Sequence, residues 1–172
     1  MISVLVSAAL GLVFGIAIWS KLRSREALAA FVNGLDIFGL ASAARRRLVG
    51  IAAVAAEVVA VLLLFLPVPR LFRFGPAAVL IAGFTVAVAV ASKDRPSFTC
   101  HCFGSAGSTA AIPHVIINGL LISLALAGAL APDPSRTSGD LVLGAGLGLI
   151  TGTLAVTGVP IAEALRPGSR RS

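Results

Sequence analysis

The sequence alternates between five long blocks of apolar residues and shorter segments rich in charge, proline and other polar residues. The blocks cover residues 2–20, 48–66, 75–92, 112–131 and 141–163. Each has about 18–23 residues, close to the roughly 20 that a helix needs to cross a hydrocarbon layer about 30 Å thick. Because backbone amides find no water in that layer, each block is predicted to be a helix. The pattern therefore predicts an all-α integral membrane bundle with four core transmembrane helices and a fifth, C-terminal one.

The polar segment between the first and second blocks has a helical period of its own. Large apolar residues recur there at spacings of three and four: Leu28, Phe31, Leu35 and Phe38. This stripe indicates an amphipathic helix over residues 24–44, lying on the membrane surface or packed under the bundle. Two glycines within it, Gly34 and Gly39, weaken the helical tendency.

Two regions are expected along the chain. Residues 1–131 contain the four core helices, and a loop rich in proline and glycine at 93–111 joins the third to the fourth. Residues 132–172 add the fifth helix and a basic tail. The first block is followed by Lys21 and Arg23 rather than by a small-residue cleavage site. It is therefore interpreted as a retained membrane helix and not as a secretory signal.

The fifth block is unusually rich in glycine, at positions 144, 146, 148, 152 and 158. Its stretch GAGLGLITGT is superficially similar to a phosphate-binding loop, but it lacks the Gly-Lys-Ser/Thr ending and its flanks are apolar. Small residues at close spacing in a membrane helix usually allow two helices to approach closely. We therefore expect these glycines to pack against another helix.

Composition and charge agree with a membrane protein. Hydrophobic residues make up 58% of the chain and charged residues 12%, about half the charged fraction of a soluble domain. The net charge of +7 is explained by orientation rather than by a nucleic-acid partner, since basic residues collect in cytoplasmic loops. If the N-terminus is outside, the inner segments 21–47, 93–111 and 164–172 hold six, two and three of the 14 basic residues. The charge count therefore favours a cytoplasmic location for loop 93–111.

Both cysteines of the chain lie in the stretch FTCHCFG, residues 98–104. On an extended chain, side chains two apart point the same way, with Cα atoms about 6.6 Å apart, near the upper limit for a disulfide. Cys100 and Cys102 could therefore close into a strained disulfide of the exchangeable kind. His101, helped by the basic residues of the loop, would raise the thiolate fraction. These three residues are the candidate catalytic group of a thiol–disulfide oxidoreductase.

Two other interpretations of this motif stay open. Cys100, His101 and Cys102 would suit Cu(I) or another soft metal ion, whereas the loop has too few ligands for a four-ligand zinc site. The protein would then bind or transport metal. Alternatively both thiols are idle, since free cysteines are commonly buried and unreactive. The protein would then be a membrane scaffold whose partners do the chemistry.

Polar side chains also occur inside or at the ends of the apolar blocks. Glu57 lies ten residues into the second block, where a charge is costly. It is either functional or a protonated group bonded to a neighbouring helix. Asn118 is expected to bond to a neighbouring helix, with Glu57 as a candidate partner. Lys21 is expected to extend to the interface, with a salt bridge as the alternative, and Trp19 is expected to anchor the same interface.

Four pieces of the sequence resemble the MauE/DoxX group of small redox-associated membrane proteins, and its methylamine-utilisation MauE branch in particular. The pieces are WSKLRSREALAAF, AAEVVAVLLL, FTCHCFG and IINGLLI. They match the family's Lys-Leu pair, helix-borne Glu, Cys-x-Cys-Phe-Gly loop and Asn of the last core helix. The matching residues are Lys21-Leu22, Glu57, Cys100 to Phe103-Gly104, and Asn118.

The resemblance implies a four-helix bundle over roughly residues 1–131 that works with an extracytoplasmic thioredoxin-like protein to mature disulfide-containing partners. More distant DoxX and DoxD relatives are linked to sulfur oxidation and quinones. On this basis the two cysteines exchange disulfides with a thioredoxin-like partner, in support of proteins of the methylamine dehydrogenase type. Glu57, Asn118 and Lys21 would shape a polar pocket beneath the loop for protons or a quinone. The resemblance puts loop 93–111 outside the cytoplasm, in conflict with the charge count.

Overall fold

The chain is described by a computed structural model that covers residues 1–40, 42–94, 111–131 and 138–164. Within these ranges the regular secondary structure is helical throughout, which confirms the predicted all-α bundle, and each apolar block corresponds to a helix. A 3₁₀ turn, Leu35–Phe38, follows the second helix. The α-helices are α1 (Ile2–Leu22), α2 (Arg25–Gly34), α3 (Ala43–Phe65), α4 (Arg70–Asp94), α5 (Ala111–Leu130) and α6 (Ser138–Ala164).

The helices make this a multi-pass membrane protein. Four of them contain stretches long and apolar enough to cross a membrane: Ile2–Leu22, Ala43–Phe65, Arg70–Val90 and Gly139–Thr157. α5 is 20 residues long, and its fully described apolar stretch, Val115–Leu130, is somewhat shorter. Many large apolar side chains on the outer faces of these helices are exposed, as expected for surfaces that contact lipid.

α1 packs against four other helices, α2, α3, α5 and α6. α3 packs on α4 and α4 on α5, so that α1, α3, α4 and α5 close into a ring of four helices. Side chains from all four fill the core of that ring. Its buried members include Leu10, Phe14, Leu64, Phe74 and Leu121.

Neighbouring helices in the ring run in opposite directions. Ser7, near the start of α1, donates a hydrogen bond of 3.0 Å to the carbonyl oxygen of Leu64, near the end of α3. Gly128, near the end of α5, faces the ring of Phe74, near the start of α4. The end of α1, the start of α3, the end of α4 and the start of α5 therefore lie together on one side of the bundle. α2 lies there as well, and we call this side the α2 end.

α6 packs along α1 through glycines, as the sequence predicted. Gly144, Gly148 and Gly152 follow one another at four-residue spacing, on one face of the helix. A Cβ atom added to Gly144 would lie 3.0 Å from the carbonyl oxygen of Met1, and one added to Gly152 would lie 2.9 Å from that of Ala9. Glycines further along α6 meet residues further along α1, so the two helices run parallel. Only glycine allows the two backbones to approach this closely.

α2 is the amphipathic connector, and it is shorter than residues 24–44. Ser24 caps its start by accepting a hydrogen bond of 3.1 Å from the amide of Ala27. Hydrogen bonds from its own backbone and from Ser24 lower the pKa of the exposed Glu26 carboxyl below its ordinary value. The helix ends at Gly34, and the 3₁₀ turn after it ends at Phe38, with Gly39 as its C-terminal cap. Gly39 has a φ of 72°, which glycine adopts without strain.

Candidate functional site

The most unusual feature of the bundle is a buried ion pair between α1 and α3. Lys21 Nζ donates a hydrogen bond of 2.7 Å to Glu57 Oε1, and each side chain is only 2% exposed. Side chains on a helix point back towards its N-terminus. Because α1 and α3 are antiparallel, Lys21 points from the α2 end into the bundle and Glu57 points towards the α2 end. The two charged groups therefore meet below the surface.

Two aromatic rings enclose the lysine ammonium group. Nζ of Lys21 lies 5.1 Å from the ring centre of Phe31 on α2 and 5.7 Å from that of Phe84 on α4. A cation over an aromatic face is worth about 0.5–2 kcal/mol, more when it is shielded from water. Phe31 is the one buried residue of α2. The amphipathic helix thus uses its most buried side chain to cover the ion pair from the α2 end.

Only one of the two carboxylate oxygens of Glu57 is bonded to Lys21. Oε1 binds Lys21, while Oε2 is buried and finds no hydrogen-bond donor among the residues that the structure describes. An ionised carboxylate can accept bonds at both oxygens, and a buried oxygen without a donor costs stability. Oε2 is therefore the atom of this pair that can accept a proton or a donor group.

A second polar contact joins α4 to α5. Asn118 Nδ2 donates a bond of 2.9 Å to Thr85 Oγ1, and Thr85 Oγ1 donates one of 2.7 Å to the carbonyl oxygen of Ile81. Thr85 directly follows Phe84, which contacts Lys21. These two hydrogen bonds therefore lie next to Phe84, the residue of α4 that borders the ion pair.

The structure corrects the partners that the sequence suggested for these side chains. Lys21 does not extend to the interface: its pairing with Glu57 is the salt bridge that was the alternative. Glu57 was a candidate partner of Asn118, and that prediction is wrong, because Asn118 binds Thr85 instead. Asn118 does join two helices, as expected. Trp19 is 71% exposed on α1.

Sequence reasoning missed Thr85, Phe31 and Phe84 as neighbours of the polar groups. Thr85 places a hydroxyl group inside the third apolar block, and the sequence alone shows it as a possible hydrogen-bonding partner there. Phe31 was identified only as a member of an apolar stripe. Phe31 covers the charge of Lys21 because of the way α2 folds back onto α1 and α3. A stripe of apolar residues does not reveal that packing.

The Cys-x-Cys motif lies outside the described residues, and so do His101, Phe103 and Gly104. The helices that flank it are described: α4 ends at Asp94 and α5 begins at Ala111, both at the α2 end. Lys21 is in the last turn of α1, at that same end. Among the described residues, no group of three His, Cys, Asp or Glu side chains is arranged to hold a metal ion.

Comparison with known protein families gives a match over residues 1–131 to the family described as methylamine utilisation protein MauE. Neither the curated proteins nor the solved structures contain a match. The matched region includes α1 to α5, both polar contacts and the Cys-x-Cys motif, whereas α6 lies beyond it. The match covers well over half of the 172 residues. The chain therefore belongs to the MauE family of methylamine utilisation proteins.

Proposed function

We propose that this protein is a membrane-embedded thiol–disulfide redox protein. Cys100 and Cys102 exchange electrons with a thioredoxin-like partner, and His101 raises the thiolate fraction. The exchange supports the maturation of disulfide-containing proteins of the methylamine dehydrogenase type, in keeping with the family's link to methylamine utilisation.

One observation carries the proposal. The two helices that flank the cysteine loop end and begin at the α2 end, where the bundle also holds its buried ion pair. Keeping a lysine and a glutamate out of water is costly, and ionisable groups within a membrane are functional candidates by default. The segment whose sequence holds the chain's two cysteines is thus attached to the bundle at the end where the charges are buried.

The exchange is balanced in electrons and protons. A thiolate of one protein attacks the disulfide of the other, so that one S–S bond breaks and a mixed disulfide forms. The second thiol of the attacking pair then displaces the partner sulfur. A disulfide remains on one protein and a dithiol on the other, and two electrons have moved. The thiols that become a disulfide release two protons, and the sulfurs that become a dithiol take up two.

Lys21, Glu57 and Asn118 have a supporting role in this proposal. Oε2 of Glu57 has no donor among the described residues, so it can take up a proton close to the α2 end. Asn118 holds α5 against α4 through Thr85. This bond fixes the spacing of the two helices between which the loop is attached.

Trapping of a mixed disulfide tests the proposal. In Cys102→Ser, Cys100 can attack a partner disulfide, but no second thiol can resolve the product; Cys100→Ser reverses the roles. Cells that express each variant are acid-quenched and alkylated, and the proteins are separated without reductant. We expect a reductant-sensitive conjugate from at least one single variant, and mass spectrometry should identify a thioredoxin-like protein in it. The Cys100→Ser/Cys102→Ser variant is the control and should give none.

Other outcomes decide against the proposal. If neither single variant forms a conjugate and partner proteins keep their disulfides in the double variant, the thiols are idle and the protein is a scaffold. If His101→Ala abolishes Cu(I) binding to the purified protein while thiol exchange was never observed, the motif is a metal site. Under the redox proposal, His101→Ala should only slow the exchange.

A further inference from the structure

The α2 end carries a group of arginines that the fold itself does not use. The side chains of Arg23, Arg25, Arg45 and Arg47 are exposed and make no hydrogen bond or ion pair with any described residue. They lie just after α1, at the start of α2 and within the first two turns of α3. Each of these positions borders the point where a helix leaves or enters the apolar layer.

Arginines at the opposite end of the bundle donate hydrogen bonds to backbone carbonyl oxygens. Arg70, at the start of α4, donates to the carbonyl oxygen of Ala131, just after α5. Arg73 donates a bond of 3.4 Å to the carbonyl oxygen of Val68. Both guanidinium groups thus bind backbone carbonyls at or near helix ends. The arginines whose guanidinium groups have no partner among the described residues therefore lie at the α2 end.

Exposed apolar residues accompany the free arginines. Trp19 lies one helical turn before Arg23, whose amide bonds to the carbonyl oxygen of Trp19, and so the two lie on one face. Leu48, next to Arg47, is 70% exposed. A tryptophan or leucine in that position contacts acyl chains and the membrane–water interface. The surface therefore presents guanidinium groups beside apolar side chains at the depth of lipid headgroups.

We propose that the α2 end binds anionic phospholipids through Arg23, Arg25, Arg45 and Arg47. Guanidinium forms paired hydrogen bonds with phosphate oxygens, and Trp19 and Leu48 contact the acyl chains of the same lipids. An acidic protein would satisfy the charges but not the apolar side chains beside them. A lipid satisfies both. The inference is independent of the redox proposal, because it involves neither cysteine.

Lipid retention by the full-length protein tests the inference. The protein is reconstituted into nanodiscs of phosphatidylcholine containing a minority of phosphatidylglycerol, released into detergent, and its retained lipids are counted by native mass spectrometry. We expect wild-type protein to retain phosphatidylglycerol preferentially. Arg47→Gln should reduce that preference about fivefold, and Arg45→Gln/Arg47→Gln roughly 25-fold. Arg47→Lys, which keeps the charge, should retain most of it.

Arg73→Gln is the matched control, because it removes one charge from the opposite end of the bundle. It should leave the preference unchanged, and circular dichroism of each variant checks that the helices are intact. Equal losses in Arg47→Gln and Arg73→Gln would show a general charge effect and overturn the inference, as would no loss in the double variant. Glycerophosphoglycerol, the headgroup without acyl chains, should compete poorly with dioctanoyl phosphatidylglycerol. Equal competition would make this a free phosphate site and overturn the lipid assignment.

Discussion

Lys21 and Glu57 meet inside the bundle with 2.7 Å between Nζ and Oε1, although they belong to helices that run in opposite directions and lie 36 residues apart in sequence. Each charge alone would be expensive to bury, and together they compensate only part of that cost. The pair is enclosed by Phe31 and Phe84. It links α1, α2, α3 and α4 at the α2 end.

Removing one member of the pair should destabilise the protein strongly. Glu57→Leu leaves the ammonium group of Lys21 buried without its partner. We expect the free energy of unfolding to fall by about 3–5 kcal/mol, measured by titration with sodium dodecyl sulfate in mixed micelles. Lys21→Met/Glu57→Leu removes both charges and should restore most of the stability. A double variant as unstable as the single one would show that the charge is not the cause.

The same double variant separates a structural role from a functional one. If the ion pair supports thiol exchange, Lys21→Met/Glu57→Leu should be stable and yet exchange disulfides more slowly. The measurement is the fraction of oxidised Cys100 and Cys102 after acid quenching and alkylation, followed over time after a pulse of reductant. Recovery at the wild-type rate would assign the pair to folding alone.

Loss of the aromatic cover should expose the pair to water from the α2 end. Phe31→Ala removes a ring 5.1 Å from Lys21 Nζ and a buried side chain, and we expect a loss of about 3–5 kcal/mol in the free energy of unfolding. Phe38→Ala is the control, because Phe38 is 39% exposed and follows the same helix. Unfolding of both variants is measured in the same mixed micelles. Equal losses of stability in the two variants would contradict this account.

Two glycines of α6 offer a matched test of its packing on α1. A Cβ atom at Gly148 would meet the carbonyl oxygen of Leu5 and lie 2.7 Å from Cβ of Ala8, whereas nothing lies within 4 Å of one at Gly146. Gly148→Leu should therefore cost about 1–3 kcal/mol or more through overpacking. Gly146→Leu should change the stability by less than about 0.5 kcal/mol. Thermal unfolding in detergent compares them, and similar midpoints would argue against the parallel contact of α1 with α6.

The hydrogen bond between α4 and α5 can be tested with a nearly isosteric change. Thr85→Val removes the hydroxyl that accepts from Asn118, and a polar contact between membrane helices is worth about 0.6–1.7 kcal/mol. Thr153→Val is the control, since its hydroxyl is exposed and bonds only within α6. Unfolding titrations should show the loss for Thr85→Val alone.

Much of the fold could be predicted from the sequence, because long apolar blocks leave a chain in lipid little choice but to form helices. The role of the α6 glycines was also predictable, since close packing is the usual reason for glycine in a membrane helix. Among the four α6 glycines whose surroundings the structure describes, the pattern did not reveal that Gly144, Gly148 and Gly152 face α1 while Gly146 does not. That distinction depends on how α6 is rotated about its axis.

The partners of the polar residues were harder to predict. Lys21 is the next-to-last residue of α1, and from that position a lysine usually extends to water. Its burial depends on three other elements: Glu57 on α3, Phe31 on α2 and Phe84 on α4. Asn118 had several polar candidates inside the apolar blocks, Glu57 and Thr85 among them, and the order of helices around the ring selects Thr85.

The central claim is that Cys100 and Cys102 form a working disulfide at the membrane surface, and thiol labelling tests it most directly. Intact cells are treated with a membrane-impermeant maleimide, with and without an impermeant reductant, and the same treatments are repeated on opened membranes. The chain has only two cysteines, so every signal comes from this motif. The account predicts labelling that depends on prior reduction, and its appearance in intact cells or only in opened membranes also assigns the side of the loop. Complete labelling of both thiols in opened membranes without any reductant would contradict it.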